Sequence, residues 1–517
     1  MTPATAHGAA GGRAMEPDAP AELRETHTGV VVLLGDLALK FKKPVDVGFL
    51  DYTTLERRLD ACRREVLLNR RLAPDVYRGW ASIVDSEEQV VEHLVVMRRL
   101  PDSARLATLV RNGGDVLVPL RQVARRIAAF HADAPPVRDP GVVDGSWLDG
   151  LWSSAVATVR EHPDVVPAGL TDDIERLSTE YLRGRGPLLD RRREDGCIVD
   201  GHGDLMTEDI FCLEDGPRIL DCLEFDDRLR TVDRIDDAAF LAMDLERIGA
   251  PSLGTRFLEW YREFSADTTP SSLIDHYLAY RAMVRSKVAC IRIDQGGEQA
   301  RSEARRCTAM ALSHLEQAAP VLVLVGGAPG TGKTTLAVGL ADALGMTCLQ
   351  SDRIRKELAA VPPGITAPSS YESGLYSADR SAEVYQELLS RAARLLSMGE
   401  SVVVDATWAA LPARARAARL AADCSALLVE LHCQLDDETA DERLRRRGAT
   451  RDPGTGVVSD ADPEIAARIR STFAPWPSAH AVDTARPPDV AVRTSREFVR
   501  PLDTRVVLTR GSRMEPD

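Results

Sequence analysis

Val321-Leu-Val-Leu-Val325 runs through Gly326 into Gly327-Ala328-Pro329-Gly330-Thr331-Gly332-Lys333-Thr334, and Thr335-Leu-Ala-Val-Gly-Leu-Ala follows. The eight residues from Gly327 match G-x-x-x-x-G-K-[ST] at every position. Their setting fits as well, because a buried strand enters a glycine turn that opens a helix. Glycines let successive backbone N–H groups turn inward around phosphate oxygens at the positive end of the new helix. Lys333 then reaches the β- and γ-phosphates, and the Thr334 hydroxyl is placed to hold Mg²⁺. This stretch predicts a parallel α/β nucleotide-binding domain, with residues 327–335 as its ATP cradle.

The chain has 517 residues, too many for one ordinary core, so two or three domains are expected. Its charge of −14, from 79 acidic and 65 basic side chains, argues against a general binder of nucleic acid or of membrane surfaces. The nine cysteines are scattered with no C-x-x-C pair, which suggests free thiols in a reducing compartment rather than a disulfide frame or zinc site. No apolar run approaches the length of a membrane span. Residues 1–20 are rich in Ala, Gly and Pro and lack a hydrophobic signal core, so a flexible tail and a cytoplasmic location are expected.

Gly29 to Phe41 alternates apolar runs around a Gly35-Asp36 hairpin signal. A helical segment is expected over 54–72 and strands over 80–99. From about 104 to 318 the pattern is mostly helical, interrupted by a β-rich block over 197–225. At Val321 an αβ rhythm begins, with further strands expected at 347–350, 401–405, 426–432 and 479–482. The expected organisation is a tail (1–20), an N-terminal domain (21–317), a P-loop domain (318–488) and a C-terminal tail (489–517) that is either poorly packed or lies back on the other domain.

Residues beside the P-loop point to group transfer. Asp352 follows the next strand, on the acceptor side of the γ-phosphate, where a carboxylate can take the proton of an attacking hydroxyl. Arg353, Arg355 and Lys356 come directly after and suit an anionic acceptor or the transferred phosphoryl group. Val402-Val-Val-Asp405 ends a strand in a second carboxylate, the expected Mg²⁺-directed one. Arg443, Arg446 and Arg447 share one helical face, as lid arginines over a transferring phosphoryl group would.

These elements together, with Ser351-Asp352-x-x-Arg355 and Val403-Val-Asp-Ala-Thr407 followed by Arg414, resemble the small P-loop kinases of the gluconate kinase, polynucleotide 5′-kinase and zeta-toxin type. The resemblance implies that Asp352 is the proton acceptor, that Arg355 and Arg414 touch the acceptor, and that Arg443 to Arg447 form the lid.

In the first half, Asp200-Gly-His-Gly-Asp204-Leu-Met-Thr-Glu-Asp209 resembles the H-x-D-x-x-x-x-N catalytic loop of aminoglycoside phosphotransferases and protein kinases. That likeness implies an α+β, two-lobed kinase-like fold with Asp204 as catalytic base and Asp209 and Asp221 as metal ligands. It also implies that Lys40 is the phosphate-side lysine, with Lys42 on the same strand face and Glu65 as its helical partner. Two departures stand out: position 209 is Asp rather than Asn, and the nearest substitute for a G-x-G-x-x-G loop is Thr26-His-Thr-Gly29. Segments 42–51, 72–77 and 280–287 extend the likeness, over roughly 22–485, to bacterial two-domain proteins joining an aminoglycoside phosphotransferase to a P-loop ATP-binding domain.

The leading expectation is an ATP- and Mg²⁺-dependent phosphotransferase acting on a small-molecule hydroxyl, with the N-terminal half a possible second kinase site. Two other readings stay open: a nucleotide-dependent regulator with a ligand-binding N-terminal half, and a nucleic-acid 5′-end kinase, which the net charge disfavours.

Overall fold

The computed structural model describes residues 21–499 apart from 26–27, 47, 49, 140, 142, 361–377 and 450–462. Its contacts divide the chain into two compact units, Met1–Val137 with Gly196–Asp267, and Arg138–Asp195 with Thr268–Asp517.

The chain opens with β1 (Glu22–Glu25), β2 (Gly29–Leu34) and β3 (Leu37–Lys42), then α1 (Leu55–Asn69), β4 (Tyr77–Val84) and β5 (Val90–Arg98). These strands form an antiparallel sheet in the order β1-β2-β3-β5-β4. Leu34 pairs with Leu37, leaving Gly35-Asp36 as a two-residue turn with Gly35 at φ 57°, as hairpins require. Thr54 caps α1 by accepting the Arg57 N–H. The apolar side of α1 (Cys62, Val66) packs with Ala38, Tyr77 and Val95 of the sheet, which fixes Glu65 beneath β3. The short α2 (Leu106–Arg111) and α3 (Leu117–Asp133) follow.

Next come α4 (Gly145–Arg160), α5 (Ala168–Gly184) and α6 (Gly186–Glu194), which belong to the second unit. The chain then returns to the first unit with β6 (Ile198–Asp200), β7 (Ile210–Leu213), β8 (Gly216–Ile219), α7 (Asp227–Arg230), β9 (Thr231–Asp233), α8 (Arg234–Arg247) and α9 (Pro251–Ser265). Every residue of α8 from Ile235 to Leu245 is buried, so its acids Asp237 and Asp244 must find partners inside the unit.

The second unit resumes with α10 (Ser271–Asp294) and α11 (Arg301–Ala318). Gly296, at φ 89°, and Gly297 break what composition alone reads as one long helix. The α/β part comprises β10 (Val321–Gly326), α12 (Lys333–Leu344), β11 (Thr347–Gln350), α13 (Ser351–Leu358), α14 (Ala378–Ser397), β12 (Val402–Asp405) and α15 (Leu411–Asp423). It continues with β13 (Leu427–Gln434), α16 (Asp437–Ala449), α17 (Pro463–Thr472), β14 (His480–Asp483) and α18 (Pro488–Val499). All five strands are parallel, in the order β11-β12-β10-β13-β14. Central β10 is wholly buried: Leu322 and Leu324 face the α14–α15 side, while Val321, Val323 and Val325 face α12 and α18. Strands to either side of β10 follow it in the chain, so its C-terminal end is the crevice where open α/β sheets bind ligands.

Two boundaries differ from expectation. Residues 488–499 are not a loose tail: α18 lies on α12 and buries Ala491 and Val499 in the core. The remainder of the expected tail, 500–517, and the expected tail 1–20 lie outside the described residues. Nor is 317/318 a division between compact units, since the helices α4–α6, α10 and α11 group with the P-loop sheet. The join is made by Arg185, wholly buried between α5 and α6. Its guanidinium donates to the carbonyls of Gly184 (2.8 Å), Leu396, Cys424 (2.9 Å) and Ser425 (3.1 Å). Ser272 of α10 adds a bond to the Gly399 carbonyl (2.8 Å).

Candidate functional site

The P-loop leaves β10 with its first amide tied down: Gly327 N–H donates to the Thr407 carbonyl (3.1 Å). Gly330 and Gly332 take φ of 88° and 83°, a region that only glycine enters freely. A Cβ on Gly330 would lie 2.6 Å from the Ala440 carbonyl oxygen, so space as well as conformation excludes other residues there. Thr331 Oγ1 donates to the Ala328 carbonyl (2.8 Å) and Thr484 Oγ1 donates to the Thr331 carbonyl (2.6 Å). The loop is therefore braced from β14 as well as from β12. Gly332 caps α12 without a side-chain bond, leaving the first-turn N–H groups facing the crevice.

Thr334 Oγ1 donates to Asp405 Oδ2 (2.7 Å), while Asp405 Oδ1 is buried without a hydrogen-bond partner. Burial lifts the Asp405 carboxyl to about 6, against the pull of Lys333 and the Thr334 bond, and Asp352 adds to the rise. A hydroxyl beside a buried carboxylate with an unused oxygen, next to a phosphate cradle, is a donor set that fits Mg²⁺ completed by nucleotide oxygens and water. Lys333 and Asp352 thus lie within electrostatic reach of Asp405.

Asp352, expected as the proton acceptor, sits in the first turn of α13 and forms an ion pair with Arg355 one turn on. Arg443 of α16 donates to the Thr484 carbonyl (3.0 Å) beside Gly332, which places it at the mouth of the loop. The Arg447 side chain lies outside the described residues. Arg414 does not meet the expectation that it touches the acceptor. It is 4% exposed and gives its donors to the carbonyls of Trp408 (2.6 Å), Ala409 (3.0 Å), Ala474 (2.7 Å) and Pro475 (2.8 Å). With its face over Trp476 and Phe473, the guanidinium is consumed in holding the turn after β12.

In the first unit, Lys40 and Lys42 share Glu65: Lys40 Nζ lies 2.9 Å from Oε1 and Lys42 Nζ lies 2.6 Å from Oε2. Lys40 also pairs with Asp221, and Lys42 with Glu224. Tyr52 Oη donates to Glu224 (2.7 Å). Burial opposes ionisation of Asp221, yet Lys40 and Lys42 hold its carboxyl below the usual range. Asp209 goes the other way, pushed well up by burial and by the charges of Asp221 and Asp204, the expected penalty of Asp in place of Asn. Asp209 and Asp221, expected as metal ligands, are not gathered into a ready metal cage. Among the described residues no three His, Cys, Asp or Glu side chains come close enough to hold an ion by themselves.

The loop bearing Asp204 is set by two acids that sequence reasoning missed. Asp237 accepts the His202 N–H (2.6 Å), the Gly203 N–H (2.9 Å) and His131 Nε2 (3.0 Å). Asp244, two helical turns on, accepts both the N–H (2.8 Å) and hydroxyl (2.6 Å) of Thr207. Burial pushes the His202 imidazole below its ordinary value, with Nε2 against the Leu220 carbonyl (3.0 Å) and Nδ1 accepting the Asp204 N–H (3.4 Å). The available signal was a pair of acids seven residues apart, Asp237 and Asp244, in the otherwise apolar run Asp237–Leu245.

Residues 322–476 match the family model described as an AAA domain. Among solved structures, a choline/ethanolamine kinase family protein from Mesorhizobium loti is 15% identical and covers 58% of this chain and 92% of its own (TM-score 0.37). A gluconokinase from Sinorhizobium meliloti is 20% identical, covering 35% and 91% (TM-score 0.24). An uncharacterized protein of Mycobacterium tuberculosis is 44% identical over 478 residues, 91% of this chain and 94% of its own length, and one from Mycobacterium bovis matches to the same extent. The chain belongs to the family of these mycobacterial proteins, and its P-loop lies in the part that the AAA-domain model matches.

Proposed function

We propose that the P-loop part transfers the γ-phosphoryl group of ATP to a hydroxyl of a small molecule. The observation that carries this reading is the convergence of Lys333, the Thr334–Asp405 bond and Asp352 on the mouth of the loop. The N–H groups of residues 327–334 and Lys333 would bind and orient the phosphates. Thr334 and Asp405 would hold Mg²⁺, which when bound neutralises charge on the phosphate oxygens. Asp352, once released from Arg355, would accept the proton of the attacking hydroxyl, and Arg355 and Arg443 would meet the negative charge spread over the transferring group. The first unit, with Lys40, Glu65 and Asp204 arranged around its own loop, is proposed as a second phosphotransfer site.

The test is transfer of label from γ-labelled ATP into a pool of hydroxyl-bearing metabolites and aminocyclitols, with wild type, Lys333→Ala and Asp204→Ala. Loss of at least one labelled product with Lys333→Ala is expected. Undiminished transfer by that variant refutes the P-loop assignment, and undiminished transfer by Asp204→Ala reduces the first unit to a binding or regulatory module.

A further inference from the structure

The turn that follows Asp405 is held more elaborately than a connection needs. Trp408 takes φ 53°, a left-handed conformation that an aromatic residue keeps only when its surroundings impose it. Its carbonyl accepts Arg414 Nε (2.6 Å) and its indole N–H donates to the Val404 carbonyl (3.3 Å). Its backbone N–H donates to the hydroxyl of Tyr385 on α14 (3.1 Å). The same hydroxyl lies 3.1 Å from Thr407 Oγ1, and the phenol ring meets the Trp408 indole edge-on at 5.2 Å. A phenol can accept one bond and donate another at once, so Tyr385 fastens both residues of the Thr407–Trp408 peptide.

That peptide carries the carbonyl receiving the Gly327 N–H, and Asp405 lies two residues before it. On its other side, the phenol stands in the field of Arg355 and Asp352. One partly buried hydroxyl therefore touches the segment that sets the first P-loop amide and the metal-side carboxylate, within the electrostatic reach of Asp352.

We propose that Tyr385 is a positioning residue for Asp405, holding the β12 end so that the carboxylate faces Thr334 and a nucleotide-bound Mg²⁺. The proposal rests on the nucleotide-site reading above. Phenylalanine at 385 keeps the ring but strands the Trp408 N–H in a buried place and loosens the end of β12, while the Gly327 bond still holds the Thr407 carbonyl. The loss falls on the Mg²⁺-linked part of nucleotide affinity, because the loop amides and Lys333 meet the phosphates without Asp405.

The experiment measures calorimetric binding of a non-hydrolysable ATP analogue to the full chain, with Mg²⁺ and with a chelator. The variants are wild type, Tyr385→Phe, Thr407→Val, Thr407→Ser and Lys333→Ala, each with its unliganded Tm. We expect Tyr385→Phe and Thr407→Val each to cut the affinity gain due to Mg²⁺ by about 5- to 20-fold. Metal-free binding should stay within about twofold of wild type, and Thr407→Ser should keep the full gain. A Tyr385→Phe protein that retains the gain, or that loses metal-free and metal-linked affinity in equal proportion, overturns the proposal. Should that variant fail to fold, Thr407→Val decides by the same comparison. Lys333→Ala separates the two levels: wild-type affinity in that variant overturns the nucleotide-site reading and the positioning role with it, whereas a failure confined to Tyr385→Phe and Thr407→Val overturns the positioning role alone.

Discussion

Replacing Arg185 by Met tests whether the helices α5 and α6 are welded to the α/β part of the second unit. The guanidinium is fully buried and has no carboxylate partner among the described residues; its bonds run to four carbonyl oxygens. Leu396 lies in the last turn of α14 and Cys424 caps α15, so one positive charge meets the negative ends of two helix dipoles. Each bond from a charged donor contributes about 1.5–3 kcal/mol, and each acceptor left bare in the interior costs about 1–3 kcal/mol. Against this stands the desolvation of the guanidinium, visible as a lowered pKa, which Met would relieve. The expected net loss is about 3–5 kcal/mol, from acceptors left bare at about 1–3 kcal/mol each less the desolvation that Met relieves. Urea unfolding followed by tryptophan fluorescence reads it, since Trp152, Trp408 and Trp476 all lie in this unit. Lysine at 185 keeps the charge but not the planar fork, and should recover less than half of the loss. A Met variant within about 1 kcal/mol of wild type would refute the weld and leave the carbonyls satisfied by some other means.

Three further outcomes follow from contacts described above or nearby. Gly330→Ala places a Cβ against the Ala440 carbonyl at a positive φ and should abolish nucleotide binding; calorimetric affinity near wild type would contradict the cradle geometry. Asp237→Ala strands the N–H groups of His202 and Gly203 together with His131. It should lower stability by about 3 kcal/mol or more, with faster amide exchange at 202–203, and unchanged exchange there would disprove the anchoring role. His276 is buried, accepts the Trp152 indole N–H (3.2 Å) and is pushed down to about 3 by burial, with a further contribution from Arg185. The unfolded chain takes up its proton near 6.5 and the native chain does not until about 3. Stability is therefore complete above pH 6.5 and falls between pH 6.5 and 3, at up to about 1.4 kcal/mol per pH unit. A His276→Gln variant should flatten that slope in pH-dependent unfolding, and an unchanged slope would assign it elsewhere.

The P-loop, β10 and β12 were legible because a fully buried strand must be a continuous apolar run, ending here at a glycine and an acid, whereas the partly exposed β11, β13 and β14 were read from the αβ rhythm. The first-unit lysines, Glu65 and the Asp204 loop were legible as a spaced pattern. Arg414 misled because an arginine following a catalytic-looking strand looks the same in sequence whether it faces a ligand or four carbonyls. Its neighbours Phe473 and Trp476 come from some sixty residues away. Asp237, Asp244, Tyr385 and Arg185 escaped for the same reason: each acts through partners that only the folded chain brings near. The α18 helix was hidden by its proline pair, which reads as a breaker although Pro in the first turn opens a helix.

The interleaving of the two units has a consequence for how the chain can be cut. A break at 317, where the sequence pattern changes, would leave Arg185 without the helix ends that receive it and those ends without their cation. Neither fragment would carry a finished surface, so the pair should refold by complementation far better than either piece folds by itself. The portions before and after 317 are then not interchangeable cassettes: a partner grafted from a more distant chain would have to bring its own carbonyl cage. The Gly184-Arg185-Gly186 tripeptide and the α15 turn at Cys424–Ser425 are the places where such a graft would first fail.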